Sequence, residues 1–221
     1  MINLHQRQAG VLLHVTSLPG PNGIGDFGPD AYSFVDWLQS AGQSLWQWLP
    51  TTPIGPGDSP YQSVSAFAGS PLMVALEPLV AAGWLQAPQA PETGFDALRV
   101  NFSTVVPWRL SQLRAAFAGF GLKNAAQERA AFEYWQKREA SWLDDYALFM
   151  ALETENGGKA WWHWPAEVRE REAGALGAAR LRLADEIGFW AFVQWCFDTQ
   201  LAALKSYANS HGVAIMGDLP I

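Results

Sequence analysis

Asp218 follows a short apolar run, residues 213–216, with only Gly217 between, and this is the position on the chain best placed for chemistry. The run carries β-branched side chains and comes after a turn-like Asn209-Ser210-His211-Gly212, so it reads as a buried strand. Parallel α/β enzymes set catalytic and ligand-binding groups at the C-terminal ends of such strands. Far upstream, Ser59-Pro60-Tyr61 lies in a loop of residues 51–70 loaded with Gly, Pro and Ser. Loops of that length in compact domains are usually functional. A tyrosine there offers a ring for stacking and a hydroxyl for hydrogen bonding, and a strand-end aspartate accepts bonds from hydroxyls or orients its neighbours. A third pattern, Gly23-Ile24-Gly25-Asp26-Phe27-Gly28, matches G-x-G-x-x-G but fails as a dinucleotide site. Ser17 to Asn22 separate it from the preceding strand, and no acidic residue stands near Trp46 to Trp48 to hold a ribose. Asp26 is read instead as organising a turn through nearby backbone N–H groups.

The elements that must position these residues follow from periodicity and punctuation. Residues 10–16 read as a first strand, with His14 near its end fixing a loop. Pro29 opens a helix carrying Tyr32, Phe34, Val35, Trp37 and Leu38, and Gly42 closes it. Residues 44–49 form a second strand, ended by Pro50. Strand, helix, strand is a βαβ unit, which implies a parallel sheet. Residues 77–185 are helical and Ala-rich, separated into pieces by Pro88, Pro91 and Pro107, with the clearest helix over about 125–153. Asp144 and Asp145 in it are expected to face solvent or cap. A further apolar helix over 187–208 leads to the third strand. The three strands are expected side by side and parallel, bringing Tyr61 and Asp218 within roughly 10 Å.

Composition narrows the class. At 49% apolar and 16% charged residues the chain has material for a core. A net charge of −7 argues against nucleic-acid binding. No apolar run has membrane-spanning length, and residues 1–8 lack a signal-peptide core, so no membrane association and a cytoplasmic location are expected. The single cysteine, Cys196, sits in an apolar helical stretch and fits a reducing compartment. Neither a metal nor a cofactor is expected. Twelve tryptophans are unusual. Trp190 and Trp195 fall on an apolar helix and read as core. Trp46, Trp48, Trp161, Trp162 and Trp164 cluster near Pro and Gly, where they either pack or offer faces to sugar rings.

Several motifs together carry a family resemblance: His14-Val-Thr-Ser-Leu-Pro-Gly20, Gly23-Ile-Gly-Asp-Phe-Gly28, Trp46-Gln-Trp-Leu-Pro50, Ser59-Pro-Tyr-Gln-Ser63, Ser65-Ala-Phe-Ala-Gly69, Trp142-Leu-Asp-Asp-Tyr-Ala-Leu-Phe-Met150 and Gly217-Asp-Leu-Pro-Ile221. In this order they resemble the amylomaltases, the 4-α-glucanotransferases. The likeness spans the whole chain and about the first half of the family's usual length. Thr51-Thr52-Pro53 departs from the family's commoner Leu-Gly-Pro, and Ser70 stands where Asn is common.

The resemblance implies a fold, the N-terminal portion of a (β/α)₈ barrel with its first three strands and a large helical insertion. The expected division is 1–76 for the start of the barrel, 77–185 for the insertion, and 186–221 for a barrel helix and strand three, truncated. It implies transfer of α-1,4-glucan segments between maltooligosaccharides by retaining double displacement, with two carboxyl groups about 5–5.5 Å apart. The family's catalytic carboxylates are expected beyond Ile221, so no residue here is assigned a catalytic role and this chain alone is expected to be inactive. Ser59, Tyr61 and Asp218 are the positions that match sugar-contacting residues. Self-association through an exposed barrel edge is expected. The alternative is a non-catalytic glucan-binding or interaction protein derived from the family.

Overall fold

Strands β1 (Gly10–Leu12), β2 (Leu45–Gln47) and β3 (Ala214–Met216) pair in that order as a wholly parallel sheet in the computed structural model. It describes residues 7–92, 94–96, 98–123 and 126–220. Leu45 faces Gly10 on one side and Ala214 on the other, and Gln47 likewise faces Leu12 and Met216. The parallel order is the one expected from the βαβ pattern. The strands are shorter than that pattern suggests. The β1 ladder ends where the Leu13 N–H donates to the Gln47 carbonyl, 3.0 Å. The Leu13 carbonyl is then taken by the indole N–H of Trp46, 2.8 Å. Val15–Ser17 coils into a 3-10 turn instead of continuing the strand.

Seven helices occur among the described residues: α1 (Pro29–Ser40), α2 (Glu77–Ala81), α3 (Phe102–Leu122), α4 (Ala126–Glu155), α5 (Ala166–Arg169), α6 (Ala173–Arg182) and α7 (Ala184–Ser210). Helices α1 and α7 deliver the chain to β2 and β3 with one device. After α1, Gly42 takes φ +68°, its N–H donates to the Gln39 carbonyl, and the Gln43 N–H reaches back to Leu38, 2.8 Å. After α7, Gly212 takes φ +74°, its N–H donates to Asn209, and the Val213 N–H reaches back to Ala208, 2.9 Å. These are paired Schellman closures, and the left-handed residue in each is glycine because a Cβ there is penalised. Asn209 and Ser210, read from the sequence as part of a turn, are therefore the last residues of α7.

Pro107 does not separate helical pieces. It lies inside α3 as the sixth residue, just past the first turn, and the helix continues through it without the one N–H bond that a proline forfeits there. Ala125, at the expected start of the long helix, and Ile221, the last residue of the Gly217-to-Ile221 motif, fall outside the described residues.

Packing divides the chain into two compact units, Met1–Asn124 with Cys196–Ile221, and Ala125–Trp195. The first holds the sheet, and its core includes Val15, Val35, Leu38, Trp46, Trp48 and Leu204. Phe27 joins Trp48 at 5.9 Å and Phe197 at 5.2 Å between ring centroids. In the second unit Leu148, Leu152, Trp164, Leu176 and Ala179 form one buried cluster. Trp190 and Trp195 are buried, as their place on an apolar helix suggests. No helix among the described residues is long and apolar enough to cross a membrane.

Candidate functional site

The C-terminal end of the sheet brings together two of the three residues singled out as sugar contacts. The Tyr61 hydroxyl donates to Asp218 Oδ2 at 2.6 Å, across 157 residues of sequence. The other carboxylate oxygen, Oδ1, accepts the Leu219 backbone N–H at 2.8 Å. An ionised carboxylate has about four lone-pair sites, so both oxygens retain capacity for further donors. Tyr61 is 43% exposed, leaving its ring face open to solvent as well. The Asp218 carboxylate that accepts its proton, helped by desolvation and the carboxylate charge, holds the Tyr61 phenol above its ordinary value. The tyrosine therefore stays a hydrogen-bond donor across neutral pH.

Ser59 sets the turn that presents Tyr61. Its Oγ accepts the Tyr61 N–H at 3.3 Å, a serine turn of the kind that mimics a backbone turn. Its carbonyl accepts the Gly55 N–H at 3.1 Å and the Gln62 N–H at 3.3 Å. The hydroxyl of Thr52 braces the same loop by donating to the Pro60 carbonyl, 2.9 Å. Sequence reading does not single out Thr52 in this role, and its only signal is that it stands at one of the two family departures. The departures turn out to be neighbours, since the Ser70 N–H donates to the Thr51 carbonyl at 2.8 Å. A glycine at position 52 would have no hydroxyl to make this bond.

The glycine-rich segment has a structural task. Asp26 Oδ1 accepts the Gly28 N–H at 2.9 Å, the turn bond expected of it. Its other oxygen accepts both terminal nitrogens of Arg109, at 2.9 and 3.0 Å, and Arg109 is fully buried. Burial pushes the Asp26 carboxyl above the usual range, against the pull of the guanidinium. At Gly25 a Cβ would stand 2.1 Å from the Val15 carbonyl oxygen, so this glycine serves close packing rather than a phosphate.

His14 is buried with its Nδ1 unpartnered, and desolvation pulls its pKa down to about 4. It is a neutral ring at neutral pH. Asp145 is exposed and pairs with Arg171 at 2.8 Å and Arg180 at 3.6 Å. Of the tryptophans near Pro and Gly, Trp46, Trp48 and Trp164 are buried, whereas Trp161 and Trp162 are half exposed. Burial pushes the Cys196 thiol far up, leaving it inert. Among the described residues no group of three or more His, Cys, Asp or Glu side chains gathers to hold a metal ion.

Comparison with known proteins finds relatives of the whole chain. The 4-alpha-glucanotransferase family model matches residues 13–221. The chain is 47% identical over 215 residues to a 4-alpha-glucanotransferase of Thermus thermophilus, covering 97% of this chain and 42% of that protein. It is 39% identical over 221 residues to one from Streptococcus pneumoniae, covering 99% and 43%. The solved amylomaltase from Streptococcus agalactiae in complex with acarbose superimposes with a TM-score of 0.91 at 36% identity, over 97% of this chain and 43% of that one. The chain thus spans less than half the length of the relatives it matches. With a family model matched over nearly all of its residues, the chain belongs to the 4-alpha-glucanotransferase family.

Proposed function

We propose that this chain supplies glucan contacts to a 4-α-glucanotransferase that moves α-1,4-glucan segments between maltooligosaccharides by retaining double displacement. In this reading the three parallel strands are the first three of a (β/α)₈ barrel, whose active face lies at the C-terminal strand ends. Residues 77–185 interrupt that barrel in sequence, and packing sets residues 125–195 apart as a unit of their own.

The observation that carries the proposal is the Tyr61–Asp218 bond at that face. Tyr61 gives a ring for the apolar face of a glucose unit, Asp218 accepts from its hydroxyls, and Ser59 fixes the loop and adds a hydroxyl of its own. No carboxylate of residues 1–221 is assigned as nucleophile or acid/base. The chain alone is therefore expected to bind without transferring.

Calorimetric titration with maltotriose, run beside a disproportionation assay, tests both statements. Tyr61→Ala or Asp218→Ala is expected to weaken binding roughly tenfold, the loss of one stacking or charge-assisted contact. Unchanged affinity in both variants sinks the site assignment. Disproportionation of maltotriose by the purified chain sinks the claim that the reacting carboxylates lie elsewhere.

A further inference from the structure

A cleft of about 410 Å³ opens on the second compact unit, lined entirely by residues between Asp145 and Leu176. It shares no residue with the Ser59, Tyr61 and Asp218 site. We propose that this cleft is a second α-glucan-binding surface, with Trp161 as the stacking platform and Asp145 and Arg171 as the hydrogen-bonding rim. The choice of an α-1,4-glucan rests on the function proposed above.

Its volume lies within the range of small-molecule sites. The floor is the unit's own core, Leu148, Leu152, Trp164 and Leu176, and so is already rigid. Trp161 lines the cleft yet remains 50% exposed, an unusual state for so large an apolar side chain. Its orientation is set from two sides. Trp162 meets it edge-on, 5.8 Å away at 82°. Trp164 anchors the 3-10 turn Trp161–His163 by donating its indole N–H to the Lys159 carbonyl, 2.7 Å.

The rim supplies both polarities. The Asp145 carboxylate accepts from Arg171, and Arg180 stands by its second oxygen. These side chains are about half exposed, so lone pairs and N–H groups remain free for a ligand. Arg171 is held at φ +60°, one of two non-glycine residues in the left-handed region among those described. A backbone outlier of this kind marks a residue whose placement the surroundings enforce.

The ligand's chemistry follows from the combination. A pyranose has an apolar face for the indole and a ring of hydroxyls that both donate and accept. A purely apolar ligand would leave the charged rim groups, Asp145 and Arg171, without use. A carboxylate ligand would meet the like charge of Asp145, whereas a neutral hydroxyl adds to the pair on its open sites.

Hydrogen exchange of the protein with and without maltoheptaose, together with calorimetry, tests this. Protection is expected within residues 145–176. Trp161→Ala should weaken that component by roughly fivefold to tenfold, the scale of one aromatic stacking contact. Trp161→Phe, which keeps a ring face, should retain much of it, and Arg171→Gly, which relieves the backbone while removing the rim donor, should weaken it. Thermal melting of each variant verifies that the fold is kept. Protection of 145–176 without any at 59–61 and 218 upholds this site while removing the Tyr61 one. Protection confined to 59–61 and 218 overturns the inference and leaves the proposed function standing. Equal binding of cellohexaose, or tighter binding of dodecanoate, overturns the α-glucan assignment.

Discussion

His14 carries a pH dependence that can be read from a single side chain. Burial lowers its folded pKa to about 4 from 6.5, so the unfolded chain takes up the proton first on acidification. The contribution is therefore intact above pH 6.5 and is lost as the pH falls towards 4. Integrated over that window, linkage gives up to roughly 3 kcal/mol of stability. Urea unfolding followed between pH 7.5 and 4.5 should show this decline, and His14→Gln should flatten it. An unchanged slope in the variant would assign the acid sensitivity to other groups. The same scale shows why Tyr61 and Asp218 could be paired from sequence while Thr52 could not. Strand order alone brings one strand end beside the loop of its neighbour, whereas the partner of a loop hydroxyl depends on the path of the loop.

At the level of elements, one buried ion pair ties the segment of residues 23–28 to α3. Arg109 also donates to the Val74 carbonyl, so a single guanidinium holds three backbone regions together. Arg109→Met would leave Asp26 buried with only the Gly28 N–H. It is expected to cost about 3–5 kcal/mol, the usual penalty for stranding one partner of a buried pair. Adding Asp26→Leu should recover much of that loss, because an apolar pair has no stranded charge. Denaturation midpoints of the single and double variants would decide, and a double variant as unstable as the single one would contradict the account. Sequence reading could assign Asp26 its local turn bond, but not this partner, because no periodicity links positions 83 residues apart. Helix ends were legible for the opposite reason. Pro29 and Gly42 carry their conformational instruction within a few residues. The end of β1 before the 3-10 turn at Val15–Ser17 was not legible, since the Leu13 carbonyl is taken by an indole from β2, 33 residues away.

Across the whole molecule, the sheet of three strands is small for the surface it presents. Leu12, Met216 and Leu219 are 57%, 37% and 71% exposed, and no pairing beyond β1 and β3 occurs among the described residues. Open strand edges beside exposed apolar side chains template association. Sedimentation velocity at rising concentration should therefore show the chain forming oligomers, and Leu12→Lys with Leu219→Lys should reduce them. A monomer at all concentrations would refute the idea.

The bond between Tyr61 and Asp218 also carries a consequence for synthesis. A ribosome makes residue 61 long before residue 218, and at about 5–20 residues per second the delay is on the order of ten seconds. During that delay β2 has no β3 to pair with and the Tyr61 hydroxyl has no acceptor. Residues 125–195 are contiguous and can gather while translation continues. A nascent chain halted before 213–218 would thus hold a folded helical unit and an unfinished sheet, and a chaperone that recognises open strand edges would find its target on β2.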